Sequence, residues 1–392
     1  MGTKPKFLVI APYLPRFDKN SGDFRLFQML GMIAKSHEIT YLATGSMGEG
    51  PENDRRYQAA LRDSGIQVHT HGTSFLKHLL RHRYDAAMIE FYYIADHYLP
   101  RIKMIQPRCP VIVDTVDVHY RRAFTKYGLT MSIEDLSAAE KIKKYELDVY
   151  KKSDMVITVT EEDADILKRD CAGLKTSVIP NIHEIRPLPD LPGNRNLIFV
   201  GGFSHDPNID AVMWLCGEIF PLIREAIPGI TLTIAGSNPP EDIRRFQSDT
   251  IKVTGYVPSL TPIYRNSIIS VAPLRYGAGM KGKVGEAMAF GLPVVTTSIG
   301  AQGMGLVHRV NSMISDSPEE FAASVVELIR DKSLYESIRA NALDNIRETC
   351  SPEIVERKIH LLFSELNDTC AAPICLRDRL EIIKKYVARR LG

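Results

Sequence analysis

No stretch of this chain approaches the ~20 consecutive apolar residues needed to span a bilayer. Cysteine is sparse as well: Cys109, Cys171, Cys216, Cys350, Cys370 and Cys375 are scattered through 392 residues with no C-x-x-C pair. That argues against a disulfide framework and against metal ligation by thiolates, and suits reduced thiols in a cytosol. There is no excess of one charge, with 49 basic against 47 acidic residues, 24% charged overall and net +2, so nothing in the balance asks for nucleic acid. Residues 1–12 run straight into the apolar stretch K-F-L-V-I-A-P without the charged start, long apolar segment and cleavage site of a leader. The expectation is a cytoplasmic protein, soluble or at most peripheral at the inner face of a membrane.

What is present centres on residues 273–297, P-L-R-Y-G-A-G-M-K-G-K-V-G-E-A-M-A-F-G-L-P-V-V-T-T. The apolar run Ile268–Val271 stops at Pro273, a loop with Gly277 and Gly279 follows, and Met280–Phe290 reads as a helix closed by Gly291. A helix start behind a glycine loop offers unpaired N–H groups and a positive dipole end to an anion such as a diphosphate. Arg275, Lys281 and Lys283 add cations, and Glu286, three residues past Lys283, can accept from the vicinal hydroxyls of a ribose. The plain alternative is a Lys283–Glu286 surface pair. Gly277, Gly279 and Gly282 also spell G-x-G-x-x-G, but the motif comes late in the chain and the next strand ends in Thr296, Thr297 and Ser298 rather than an acidic residue. An NAD site is therefore disfavoured.

Short apolar runs alternate with amphipathic segments through the first half. Strands are expected near 7–11, 39–43, 68–70, 86–91, 111–114, 155–159 and 177–179, with helices at 23–35, 54–64, 75–81, 133–152 and 161–170. The proline-rich stretch between Pro180 and Asn196 lacks periodicity, and the alternation restarts at Leu197 with a long helix expected over 207–226. After Asn311 the chain reads as helices at 318–330, 334–348 and 352–366 with no strand between them. The expected organisation is α/β: a doubly wound domain over 1–182, a linker over 183–195, a second doubly wound domain over 196–350, and helices over 351–392 returning to the first. Two such domains in series place a ligand cleft between the carboxyl ends of their strands.

The residues resemble GT-B-fold glycosyltransferases of the group-1 (family 4-like) type. Most specific are V-G-G-F-S-H-D-P-N-I-D-A-V (200–212), I-A-G-S-N-P (234–239), G-Y-V-P (255–258) and the 271–295 stretch. In the first half the likeness is looser, carried by S-G-D-F-R (21–25), V-D-T-V-D-V-H (113–119), V-T-E-E-D (159–163) and V-I-P-N (178–181). The resemblance implies transfer of a sugar from a nucleotide-diphosphate donor to a glycan, lipid-linked or other hydroxyl acceptor, with retention, without metal and with no cofactor. It makes Glu286 the ribose ligand, Gly277, Ala278, Gly279 and Met280 the sugar and phosphate cradle, and Arg275 and Lys283 the diphosphate contacts. It places Gly22 and Gly202 beside the donor and His119, with Asp117, beside the reacting sugar. Two departures stand out: Ala278 occupies the position eight before Glu286 where many members carry a first glutamate, and Ser204, His205, Asp206 and Asn208 replace a basic pair.

Other sites have competing readings. Arg25 either faces the cleft on the acceptor side or complements Asp23 on a surface, and His119 is either a ligand contact or a partly buried histidine bonded to backbone. His205 or, better, Asp206 caps the helix before Pro207. Asp163-Ala-Asp165 fits a D-x-D metal pattern, but acidic residues opening a helix are expected on dipole grounds alone. The 75–83 segment and the tail, with Ile382, Ile383 and Val387 set against Lys384, Lys385, Arg389 and Arg390, interleave apolar and basic residues; they either cover a core or contact anionic lipid. The alternatives to a transferase are a nucleotide-sugar epimerase of the same build and a non-catalytic sugar-nucleotide or glycan-binding protein.

Overall fold

The computed structural model describes residues 4–46, 51–70, 75–188 and 195–367. The basic tail segment named above lies outside the described residues. The chain begins β1 (Lys6–Ala11), α1 (Ser21–Ala34), β2 (Glu38–Ala43), α2 (Pro51–Asp63), β3 (Gln67–His69), α3 (Phe75–Arg81) and β4 (Ala86–Glu90). It continues with α4 (Tyr92–Ile105), β5 (Val111–Asp114), α5 (His119–Thr130), α6 (Ile133–Tyr150), β6 (Met155–Thr158), α7 (Glu161–Asp170) and β7 (Thr176–Val178). These strands form one parallel sheet in the order β3-β2-β1-β4-β5-β6-β7.

A second unit follows: β8 (Asn196–Val200), α8 (Asp206–Trp214), a π turn (Leu215–Ile219), α9 (Phe220–Ala226), β9 (Thr231–Ala235), α10 (Glu241–Arg244) and β10 (Ile251–Gly255). Then come α11 (Thr261–Arg265), β11 (Ile269–Ala272), α12 (Gly282–Ala289), β12 (Val294–Thr296), α13 (Ser298–Ala301) and β13 (Met313–Ile314). Its parallel sheet has the order β10-β9-β8-β11-β12-β13. Both orders reverse beside the first strand of their unit, which opens a crevice at the carboxyl ends there. The helices α14 (Pro318–Arg330), α15 (Lys332–Thr349) and α16 (Pro352–Asn367) complete the described chain.

Burial follows the strand alternation. Phe7, Val9, Met88 and Ile112 point to one face of the first sheet, under α1, and Leu8, Ile10, Ile89 and Val113 to the other. Val355, Ile359, Leu362 and Leu366 of α16 complete the first of these clusters, so the last described helix packs on the first domain. The main chain thus crosses between domains twice, and the crossings touch where His183 N–H donates to Cys350 C=O at 2.9 Å.

The expected elements are present with shifted ends, and the helices α4 and α5, the one-turn α13 and the short strand β13 were not expected. Helix α4 contains Pro100 and an aromatic start, and α5 is polar and lacks a clear apolar stripe, so neither announces itself by period. The expected 207–226 helix is broken by the π turn, after which Pro221 sits in the first turn of α9. Helix α12 starts at Gly282, two residues later than expected.

Candidate active site

Five contacts between the domains join loops and helix starts that follow strands, together with Thr125 within α5. Thr125 meets Gly277, Asp117 meets Gly279, Ser21 meets Gly282, Thr160 meets Gly303, and Asp18 accepts from Tyr256 Oη at 3.4 Å. Lys19 Nζ lies 3.7 Å from the Tyr256 ring centre and closes one edge of the cleft. The carboxyl ends of both sheets therefore face each other.

On the second domain the glycine loop after β11 lies against the first domain. Gly277 has φ +148° and Gly279 φ +66°, conformations that a side chain strains. Gly277 is pinned twice to Thr125 of α5: its N–H donates to Oγ1 at 3.2 Å and its C=O accepts from the same hydroxyl at 3.0 Å. A Cβ on Gly279 would lie 3.1 Å from Asp117 Cβ. Among the described residues, no protein acceptor is bonded to the backbone amides from Ala278 through Lys283, six in succession. Lys281 takes the cap position of α12 and gives no side-chain cap.

Lys283 and Glu286 do not pair with each other. Lys283 Nζ donates to Asn208 Oδ1 and stands 4.6 Å from the Phe199 ring centre, and Asn208 Nδ2 donates to Gly202 C=O at 2.8 Å. Burial, followed by the neighbouring charge of Lys281, takes the Lys283 ammonium down to about 7. Glu286 Oε2 accepts from Tyr264 Oη at 3.1 Å, and burial raises its carboxyl against the opposing Tyr264 bond and Arg186 charge.

Three expectations about basic residues need correction. Arg275 does not stand free toward the cleft: its Nε donates to Asp210 Oδ2 at 2.9 Å, Nη2 bonds the other oxygen, and the guanidinium lies 5.5 Å from the Trp214 ring centre. Two charge-assisted bonds to one carboxylate outweigh an open site. Arg25 is on neither a surface nor the acceptor side. It is fully buried, with Nη1 on Asp114 at 2.8 Å and Nε on Ile179 C=O at 3.0 Å, while Asp23 pairs with Arg16 instead. Lys281 is turned back on its own loop, donating to Ala278 C=O at 3.0 Å and Gly279 C=O at 2.7 Å.

The first domain contributes Gly22, Asp117 and His119. A Cβ on Gly22 would come 3.2 Å from Val116 Cγ1, in the first turn of α1. Val116 itself has φ +60°, a strained conformation for a β-branched residue, where the chain leaves β5. Asp117 Oδ2 accepts from Arg122 at 2.7 Å and Oδ1 lies 3.2 Å from His119 Nδ1. Facing the oxygens of Asp117, Nδ1 carries the ring proton and Nε2 is the free acceptor. Burial lowers the imidazole, with Asp117 opposing, so His119 is held neutral between the rings of Phe91, Tyr92 and Tyr93. Its backbone N–H donates to the fully buried Glu146, which burial raises to about 7. His205, not Asp206, takes the cap position before α8, and Asp206 is the first helical residue. The D-x-D carboxylates diverge, Asp163 buried on Arg121 and Asp165 with its side chain 77% exposed.

Sequence reasoning missed Thr125, Asp210 and Tyr264, and gave Asn208 no role. Their only signal is three-dimensional, since each meets its partner from 22 to 152 positions away.

Gly282 marks a close approach of the two domains, since a Cβ there would lie 2.3 Å from Ser21 Cβ. Gly282→Ala is expected to force the domains about 1 Å apart at this point. Amide hydrogen exchange over 23–25 and 284–286, whose N–H groups are bonded, should rise severalfold, and a second change, Ser21→Gly, should restore protection. Unchanged exchange in Gly282→Ala would mean that Ser21 yields without moving the domains.

Two facing doubly wound domains with an amide-rich glycine loop in the cleft define a GT-B architecture. Residues 194–331 match the family described as Glycosyl transferases group 1. An uncharacterized 44.6 kDa protein in the cps region of Klebsiella pneumoniae is 27% identical over 212 residues, covering 51% of this chain and 54% of that one. The match thus spans about half the length of that curated relative. Among solved structures, sucrose-phosphate synthase from Thermosynechococcus elongatus is similar with TM-score 0.72 at 13% identity, over 93% of this chain and 100% of that one. Anabaena HepE, in complex with UDP and glucose, gives TM-score 0.66 at 15% identity over 92% and 100%. The pneumococcal O-GlcNAc transferase GtfA, in complex with UDP and GlcNAc, gives 0.58 at 17% over 75% and 59%. At these identities the structural likeness carries the fold.

Proposed function

We propose that the chain transfers a sugar from a nucleoside-diphosphate sugar to a hydroxyl of a glycan or lipid-linked acceptor, with retention and without a metal ion. The observation that carries the reading is the run of six unpartnered amides, 278–283, beside the Lys283 ammonium in the interdomain cleft. Fixed N–H dipoles and one cation suit a diphosphate leaving group, whose negative charge grows as the glycosidic bond breaks. Glu286, anchored by Tyr264, takes the ribose hydroxyls, and Gly202, tied to Lys283 through Asn208, lines the donor side. Arg275 acts one step back, bracing the loop against α8 through Asp210.

The acceptor approaches from the first domain, where Asp117 orients neutral His119 toward the transferred sugar and Gly22 lets α1 come close to the donor. Attack on the leaving-group face, with a phosphate oxygen taking the proton, gives retention. Complexes of the similar HepE and GtfA proteins with UDP support a UDP-sugar donor. Contact with a membrane surface fits a lipid-linked acceptor; among the described residues no helix is long and apolar enough to cross a bilayer.

The test supplies labelled UDP-, GDP- and ADP-sugars with candidate glycan and lipid-linked acceptors, with and without a chelator. Label should move to an acceptor with its anomeric configuration kept, and chelation should leave the rate unchanged. Conversion of the donor sugar without acceptor would favour an epimerase, and binding with no label released a non-catalytic protein.

A further inference from the structure

We propose that Lys281 is a positioning residue: by holding two carbonyls of the glycine loop from behind, it turns the amides of Gly279 and Met280 outward to the donor diphosphate. The inference rests on the donor reading above and adds a residue that contacts no substrate itself. In a trans peptide the C=O of one residue and the N–H of the next point in opposite directions, and the described residues contain no cis peptide bond. Lys281 Nζ donates to Ala278 C=O at 3.0 Å and to Gly279 C=O at 2.7 Å. The N–H groups of Gly279 and Met280 therefore point away from that ammonium.

The peptides on either side are held in the same manner. Gly277 C=O accepts from Thr125 and Met280 C=O from Asn181 Nδ2 at 3.5 Å, so all four loop carbonyls have side-chain donors. The following amides, 278–281, are left as donors in a backbone concavity of the kind that binds anions. Lys281 is 8% exposed, its aliphatic stem running beneath Gly277, where a Cβ would stand 3.5 Å from Lys281 Cε. Burial brings the ammonium down to about 8, with Asp163, Asp117 and Glu162 of the first domain supporting the charge and Arg121 opposing it. It remains a cation at neutral pH. Lys283, two residues on, projects from another side of the helix start and reaches Asn208. The adjacent lysines thus divide the work, one shaping the loop and the other supplying charge.

The experiment measures, on the full chain, binding of whichever of UDP, GDP and ADP the wild type takes, together with the matching free nucleoside. Lys281→Met should weaken the diphosphate about 10- to 100-fold and leave the nucleoside within about twofold, and Lys281→Arg should recover most of the loss. Equal loss of both ligands, undiminished diphosphate binding, or failure of arginine to rescue would each overturn the role assigned to Lys281. A wild type that binds none of the three diphosphates would instead overturn the donor reading beneath it.

Discussion

Lys283→Met is expected to lower turnover about 100- to 1000-fold, the largest kinetic effect of any substitution considered. The ammonium is the one cation of the glycine-loop segment whose side chain is committed neither to its own loop nor to a carboxylate, since Lys281 grips carbonyls and Arg275 is taken up by Asp210. Burial has brought it down to about 7, so at pH 8 much of it is neutral until a diphosphate arrives. Donor binding at pH 8 should then take up protons, while at pH 6 the group is already charged and uptake should vanish. Calorimetry in two buffers of different ionisation enthalpy measures this directly. Equal proton uptake at pH 8 by wild type and Lys283→Met would remove Lys283 from the diphosphate site.

Asp114→Ala is expected to cost about 3–5 kcal/mol of stability, because it strips the carboxylate from a buried guanidinium. Arg25 and Asp114 have side chains 1% and 0% exposed and meet at 2.8 Å through Nη1, and Nη2 has no partner among the described residues. Replacing both by apolar residues, Arg25→Met with Asp114→Leu, should be milder than Asp114→Ala alone, since no unpaired charge is left behind. Urea unfolding of the three chains checks the order. Asp114→Ala as stable as wild type would show that water reaches the guanidinium and that the pair is not sealed in the core.

The parallel sheets could be read from the sequence because the inner strands are apolar runs bounded by breaks, such as Ala86–Glu90, Val111–Asp114 and Ile269–Ala272, the pattern of strands covered on both faces. The glycine loop was legible for a similar reason: Gly277 and Gly279 sit where only glycine takes the backbone angle without strain. What could not be read was the division of roles among its cations. Arg275, Lys281 and Lys283 look alike along the chain, and their fates are decided by Asp210, two loop carbonyls and Asn208, which folding alone brings near. Arg25 illustrates the same limit. The sequence puts Asp23 two positions away, yet the partner that claims the guanidinium is Asp114, 89 positions on. Pro100 and the polar face of α5 hid two helices, so the hairpin α5–α6 that brings Thr125 to the glycine loop could not be foreseen.

The two main-chain crossings, bonded to each other at His183 and Cys350, behave like a pair of pins on a door. Two neighbouring crossings resist sliding or swivelling of one half over the other, which would stretch a segment or break the bond between them. The tie holds Asp117 against Gly279 and Ser21 against Gly282 in one register.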